Sequence, residues 1–295
     1  MRAPPHSSPT TPTVTTIHAT RAGPYQGDST RGTLHLRPRY FRLYTDPGVE
    51  LAEENMRHAE LDWWPPLDKI ALISLDVWNY HFARDTVARI EDLTVNRIAP
   101  LIAACRQHGL QVIHAPAGPV AQQHPNWVRL IPEETPPPAH LKSPAWPPPD
   151  FRAKTGEYAQ HARPSEPQDG ARVTHCKQLR DFHPAVRPVG DEAVVLNGEE
   201  LHRLCAQRGV LFLLYVGFNT NACIVMRDYG TYAMHQRGYE VVLIRDCTTG
   251  METHETTREL LCTRGQIASL EQFGVYPVTA EQVAEALGTA ARPVA

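Results

Sequence analysis

Apolar residues in this chain follow two rhythms. Short, nearly unbroken runs recur at KIALISLD (69–76), LQVIHA (110–115), DEAVVLN (191–197), VLFLLYVG (210–217), YEVVLIRD (239–246) and VYPVT (275–279). Runs of this length, apolar at consecutive positions, are strands covered on both faces, as in the middle of a parallel sheet. The last is a short edge strand. Between the runs, apolar residues are spaced three and four apart, which predicts helices. These cover about 85–108, 198–209, 220–237, 252–273 and 280–288, and the first four close at Gly109, Gly209, Gly238 and Gly274. Strands alternating with helices predict an α/β fold: a three-layer αβα sandwich with a central, mainly parallel sheet, Rossmann-like in layout.

Two stretches break the rhythm. Residues 1–30 are rich in Thr, Pro, Ser and Gly and are expected to form a flexible tail. Residues 31–66 are expected to be an N-terminal appendage, with extended segments in GTLHLRPRYFRLYTD and a short helix in LAEENMRHAELDWW ended by Pro65-Pro66. The main domain is then expected over 67–290, with a proline-rich insert at 116–168. PEETPPPAHLKSPAWPPPDF suits neither helix interior nor central strand. Because the insert carries Trp127, Trp146, Phe151 and Tyr158, it is expected to be an ordered lid or oligomer arm rather than a solvated linker.

Composition sharpens this reading at a few points. Of 27 prolines in 295 residues, only Pro184, Pro188, Pro277 and Pro293 lie beyond residue 168, so the second half can be regular throughout. A net charge of −3 gives no sign of a nucleic-acid partner. No apolar run approaches membrane-span length, and MRAPPHSSPTTPTVTT lacks the apolar core of a secretory signal. A cytoplasmic protein is therefore expected, with its six cysteines unpaired; none forms a Cys-x-x-Cys pair.

Ligands of open α/β sheets bind at the carboxyl ends of the strands. Asp76 ends one strand, Asp246 ends another, and the strand 210–217 leads through GFNTNAC to Cys223. A cysteine in the first turn of a helix capped by Thr220 or Asn221 would feel the positive helix end, which favours thiolate. Free N–H groups of Asn219 and Ala222 nearby could hold an oxyanion. A buried, inert thiol is the competing reading for Cys223, and a loop-capping carboxylate for Asp76. A nucleophile with a base in reach joins the two.

LISLDVWNYHF, followed by LYVGFNTNACIVMRDYGTYAMHQRGYEVVLIRDCTTG, resembles the isochorismatase-like cysteine hydrolases. The first segment resembles that family's strand-terminal Asp motif. The second is similar to its G-x-x-T-x-x-C motif, with Gly217, Thr220 and Cys223 in register. The resemblance covers about residues 69–290. It implies a Cys–Asp–Lys triad with Cys223 as nucleophile and Asp76 as base. It also implies a cis peptide at Phe218–Asn219, which would turn the Asn219 N–H toward substrate, to form an oxyanion hole with the Cys223 N–H. The lysine departs from the pattern. Where the family has it, just after the strand EAVVL, this chain has Asn197. Lys177 is the nearest preceding lysine, Lys142 and Lys154 lie in the insert, and Arg152 is a substitute cation. Trp78, His81, His114, Phe218 and Arg152 are the expected substrate contacts.

No Asp-x-His follows the second strand, as it does in metal-binding relatives, so no metal and no cofactor are expected. No GxGxxG follows a strand, and neither GxxxxGK[ST] nor GxSxG is present. The resulting expectation is a homo-oligomeric cysteine hydrolase cleaving a C–N bond of a small amide, ureido or carbamoyl substrate through a thioester. Cleavage of a vinyl ether, as in isochorismatases, and a non-catalytic binding or scaffold protein on the same fold remain the alternatives.

Overall fold

The computed structural model describes residues 32–131, 146–164 and 170–290. The expected tail at 1–30 and the central part of the insert, with Lys142, lie outside the described residues. Strands β1 (Arg39–Phe41) and β2 (His58–Glu60) form a small antiparallel ladder. Strands β3 (Ile70–Leu75), β4 (Gln111–Ala115), β5 (Ala193–Val194), β6 (Phe212–Phe218), β7 (Glu240–Thr249) and β8 (Val275–Val278) form one sheet, ordered β5-β4-β3-β6-β7-β8. Every adjacent pair in it is parallel. The chain winds outward from β3 to β5, returns to the centre at β6, and winds outward again to β8. Order therefore reverses between β3 and β6, and a crevice opens at their carboxyl ends.

Helices α1 (Arg84–Leu93) and α2 (Ala99–Gln107) are joined by a π-helical turn at Thr94–Ile98. Then come α3 (Gly118–Gln123), α4 (Pro149–Ala153), α5 (Gly170–Leu179), α6 (Gly198–Arg208), α7 (Cys223–Met226), α8 (Thr231–Gln236), α9 (Leu261–Gln272) and α10 (Ala280–Thr289). Alternation along the strands creates the three layers. Ile70, Leu72, Leu214, Val216, Val242 and Ile244 pack with Ile90, Ile98, Ile102, Val283 and Leu287 on one face. Ala71, Ile73, Leu75, Leu213, Tyr215, Val241 and Leu243 pack with Leu201, Leu204, Met234 and Leu270 on the other.

Four sequence expectations are corrected. The N-terminal segment is part of the core rather than an appendage: Leu34 and Leu36 are fully buried in the first apolar layer. Trp63 packs edge-on against Phe212 and Tyr276, and Arg39 and His58 both bond Glu271. The helix expected in 51–64 reduces to one turn, Glu53–Asn55, followed by β2. Burying Ala59 and pairing with β1 outweigh its helix propensity. The start of the insert is an edge cover rather than a lid. Val128 and Val194 donate backbone hydrogen bonds to Val194 and Asn126, and Trp127 Nε1–H donates to Glu200, shielding the open side of β5. Finally, β7 continues three residues past Asp246, whose carboxylate pairs with Arg97 and accepts the Ala280 N–H, away from the crevice.

Candidate active site

The residue following β3 is Asp76, with φ +50, in the left-handed region that an aspartate tolerates better than most residues. Its N–H still bonds Ala115 O of β4, so the sheet holds the backbone while the turn directs the side chain inward. Opposite, Gly217 lies in register with Leu75, and a Cβ there would sit 1.7 Å from Leu75 O. Only glycine lets the ends of β3 and β6 approach so closely. The Phe218–Asn219 peptide that follows is cis. Thr220 is anchored twice to β7, by its N–H to Thr249 O and by its hydroxyl at 2.7 Å from that of Thr248. This short span carries the chain from β6 to Cys223.

The helix expected over 220–237 is two pieces. α7 has only four residues, and Arg227 leaves it in an extended conformation, ψ 150, before α8 begins at Thr231. The break is built. Asp228 accepts the Gly198 N–H, Tyr229 OH donates to Pro116 O, and Thr231 OH donates to Ile224 O. A Cβ at Gly198 would lie 2.0 Å from Asp228 O, so glycine is needed for this docking. The break holds Arg227 over Asp76, with Nε at 3.2 Å and Nη2 at 3.1 Å from Oδ2. Trp78 Nε1–H donates to Oδ1 at 3.1 Å. Asp76 is fully buried, whereas Cys223 stays partly open.

The electrostatics of Cys223 reverse the sequence expectation. Its thiol is pushed up to about 11, by burial first and then by the Asp76 charge, while Arg227 and a hydrogen bond from the Asn219 backbone pull it down. A four-residue helix has little dipole to offset a buried carboxylate neighbour. The N-cap is Ala222, without a side-chain cap, and its N–H is bonded to Asn219 O. The resting arrangement is thus a protonated thiol facing a carboxylate that is braced by a guanidinium. Burial also pushes Tyr229, whose ring centre lies 5.8 Å from the Arg227 guanidinium, well upward.

The other anticipated residues have these places. His81 is buried beside Trp78 and Phe82; its Nδ1 accepts the Ala83 N–H. Its pKa falls to about 4, through burial and then the charges of Arg180 and Arg89. His114 is turned to Glu192 at 2.9 Å and to the ring of Phe182, with no exposed surface. Phe218 is buried in the apolar core. Arg152 sits exposed on α4, and Lys154 of the same insert lies over the Phe151 ring at 3.5 Å. Lys177 lies in α5, but its side chain is outside the described residues. Asn197, at the position of the family lysine, caps α6 by accepting the Glu200 N–H.

Sequence reasoning overlooked Arg227. It lies four residues after Cys223, one helical turn on, so it shares a face with the cysteine. That spacing is the signal the sequence offers for it. A cleft of about 560 Å³ is lined by Phe82, Arg84, Thr86, Arg89, Glu252 and Thr257. Arg89 donates to Thr249 Oγ1 and Gly250 O, at the end of β7 that anchors Thr220.

Residues 70–282 match the family model described as Isochorismatase domain. Among solved structures, the chain is similar to a cysteine hydrolase from Pseudomonas syringae pv. phaseolicola 1448A, at 16% identity over 76% of this chain and 95% of that one, TM-score 0.49. It is also similar to an isochorismatase family protein from Burkholderia thailandensis, at 17% identity over 75% and 97%, TM-score 0.42. A third is an isochorismatase family protein from Desulfovibrio vulgaris subsp. vulgaris str. Hildenborough, at 18% identity over 75% and 98%, TM-score 0.44. No curated protein matches.

Proposed function

Since the chain belongs to the isochorismatase family of hydrolases, we propose that it is a cysteine hydrolase cleaving a C–N bond of a small amide, ureido or carbamoyl compound through a thioester on Cys223. The observation that carries this reading is the Cys223–Asp76–Arg227 constellation. A partly open thiol meets a fully buried carboxylate whose other partners are an indole N–H and a guanidinium. Arg227 supplies the cation that Asn197 cannot. This removes the main ground for a scaffold reading, and a retained thiol gives no support to vinyl-ether chemistry.

The proposed steps balance as follows. Asp76 takes the Cys223 proton as sulfur bonds to the substrate carbonyl carbon. The charge gathered on the carbonyl oxygen is received by the N–H groups of Asn219 and Cys223. Asp76 returns the proton to the nitrogen as the C–N bond breaks and the amine departs. Water then attacks the thioester, giving a proton to Asp76; the C–S bond breaks, and the proton returns to sulfur. With a thiol near 11, the ion pair is reached only during attack. Arg227 steadies the carboxylate before transfer and the thiolate after it.

The largest expected effect is that of Cys223→Ala or Cys223→Ser, which should lower turnover by at least about 10⁴-fold with an unchanged melting temperature. A neutral haloacetamide should label Cys223 before the buried Cys105, Cys176, Cys205 and Cys247. Uniform labelling in the folded protein would sink the reading. The same reading takes the enzyme as a cytoplasmic homo-oligomer acting on a small molecule, to be checked by light scattering. Among the described residues, no helix is long and apolar enough to cross a membrane.

A further inference from the structure

Asp76 offers its two oxygens on unequal terms. Oδ2 receives both Nε and Nη2 of Arg227, at 3.2 and 3.1 Å. An ionised carboxylate has about four lone-pair positions, two on each oxygen, so Arg227 fills those of Oδ2. Oδ1 receives a single donor, the Trp78 indole N–H at 3.1 Å, and keeps one position open. Asp76 is fully buried, and it acts on the Cys223 thiol by charge and by hydrogen bond. The open position on Oδ1 is therefore the one that suits a proton arriving from sulfur.

Trp78 is itself firmly held. The stretch around it is zipped to the segment that follows α5. His183 N–H donates to Val77 O at 3.0 Å, Asn79 N–H donates to Asp181 O at 3.1 Å, and Asp181 N–H donates back to Asn79 Oδ1 at 2.8 Å. Trp78 and Phe182 form an antiparallel bridge between the two strips. The Arg180 guanidinium lies over the indole at 4.4 Å, and the His81 ring stacks near it at 6.1 Å. The indole is 3% exposed. A donor locked by its own neighbours fixes the direction of the oxygen it bonds.

We propose that Oδ1 of Asp76 is the atom that takes the Cys223 proton, and that Trp78 is the positioning residue that aims it. This rests on the hydrolase reading above. As the S–H bond breaks, its electron pair stays on sulfur for attack and an O–H bond forms at Oδ1. The same proton later leaves Oδ1 for the departing nitrogen. Trp78 gains and loses no proton; its N–H keeps Oδ1 from turning away between the two transfers. Cys223 from α7, and Arg227 and Tyr229 just after it, are the titratable groups that interact with Asp76 directly. Arg180 and His81, the latter neutral above about pH 4, lie against the indole.

Trp78→Phe keeps a ring against Arg180 and removes the N–H. In the full chain, kcat for an amide or ureide should fall at least about tenfold, with KM within about twofold. The acid-side fall of kcat should begin at higher pH, because a donor that favours the ionised carboxylate is gone. Packing alone would move neither. Full activity, or a loss with an unchanged pH profile, would overturn the proposal. A second measurement needs neither turnover nor a stable variant. In wild type labelled with nitrogen-15, the Trp78 indole proton should resonate downfield and move upfield on acidification, as Oδ1 becomes a hydroxyl. The Arg227 Nε resonance should move less. Equal or larger movement at Arg227 would place the proton on Oδ2 and overturn the proposal. If wild type turns over no amide or ureide, the hydrolase reading fails, while the two resonances still decide whether Trp78 and Oδ1 act together.

Discussion

Two carboxylate–arginine pairs are built around one sheet, and they serve opposite ends. At the carboxyl end of β3, Asp76 meets Arg227 and Cys223. Between β4 and β5, Glu192 meets Arg106 and His114. Each is an acid, an arginine and a third titratable group. In the second, Arg106 grips both oxygens of Glu192, at 2.7 and 2.8 Å, and His114 fills the remaining position with its ring fully buried. Both Glu192 oxygens are engaged there, and the cluster ties α2 to the start of β5. In the first, both arginine nitrogens crowd one oxygen of Asp76, the indole takes the other, and the thiol stands partly open at the crevice. The first also rests on a left-handed backbone turn, a feature that collects at functional sites. Residue type alone does not separate the two clusters. A partly open thiol beside the carboxylate does.

The comparison breaks most sharply at Asp76. Asn keeps the left-handed turn easily, so Asp76→Asn should fold normally. It should lose about a thousandfold in kcat/KM, as the base is gone. Yet it should make Cys223 more nucleophilic at neutral pH, because a charge that raises the thiol has been removed. In wild type, the alkylation rate should climb about tenfold per pH unit until near 11; in the variant the profile should level off lower. A profile unmoved by this change would dissolve the triad.

Arg227→Met acts in the other direction. It removes a charge that lowers the thiol, so the alkylation profile should move to still higher pH. Turnover should fall about a hundredfold, with Arg227→Lys recovering part of it. Full activity in the methionine variant would show that the guanidinium is only structural.

The Glu192 cluster should respond in stability alone. Glu192→Gln should leave kcat within about twofold while costing about 2 kcal/mol, a melting-temperature loss of about 5 °C, given that water still reaches part of Arg106. Burial works against the Glu192 charge, but hydrogen bonds from Arg106 and His114 prevail and hold its pKa at about 2, below the ordinary 4.5. A depressed acid stabilises the fold above its unfolded value, so that contribution disappears as pH falls from about 4.5 toward 2. His114, held neutral by burial, adds to the loss in the same direction below its ordinary 6.5. Urea midpoints against pH should show the wild-type slope, and the glutamine variant should flatten it between 4.5 and 2. A drop in turnover would erase the distinction between the two clusters.

The smallest expected effect is that of Lys177→Ala. With Arg227 providing the charge beside Asp76, it should leave kcat/KM within about twofold in a steady-state assay. A loss of a hundredfold would return the lysine to the triad.

Much of the fold was legible in the chain. Apolar runs marked the six strands of the main sheet, glycines closed the helices, and the ends of β3 and β6 directed attention to Asp76 and Cys223. Local errors share one cause. The helix expected at 51–64, the single helix at 220–237 and the end of β7 at Asp246 all rest on propensity or periodicity, and each was overruled by a contact with a distant segment. Ala59 pairs with β1, Asp228 docks on Gly198, and Asp246 is drawn to Arg97. The thiol's character failed for the same reason, since helix position is local and the approach of Asp76 is not.

By itself, then, the sequence determined the layered α/β architecture and pointed to Cys223 and Asp76 at neighbouring strand ends, because strand burial and strand-end geometry are written in short-range patterns. Only the tertiary structure decided which cation lies against Asp76, that burial and this carboxylate push the Cys223 thiol upward, and that His114 is buried against Glu192. Arg227 is 151 residues from Asp76 along the chain, and Glu192 is 78 from His114. Charges act through space, so neither pairing is encoded in any local run of residues.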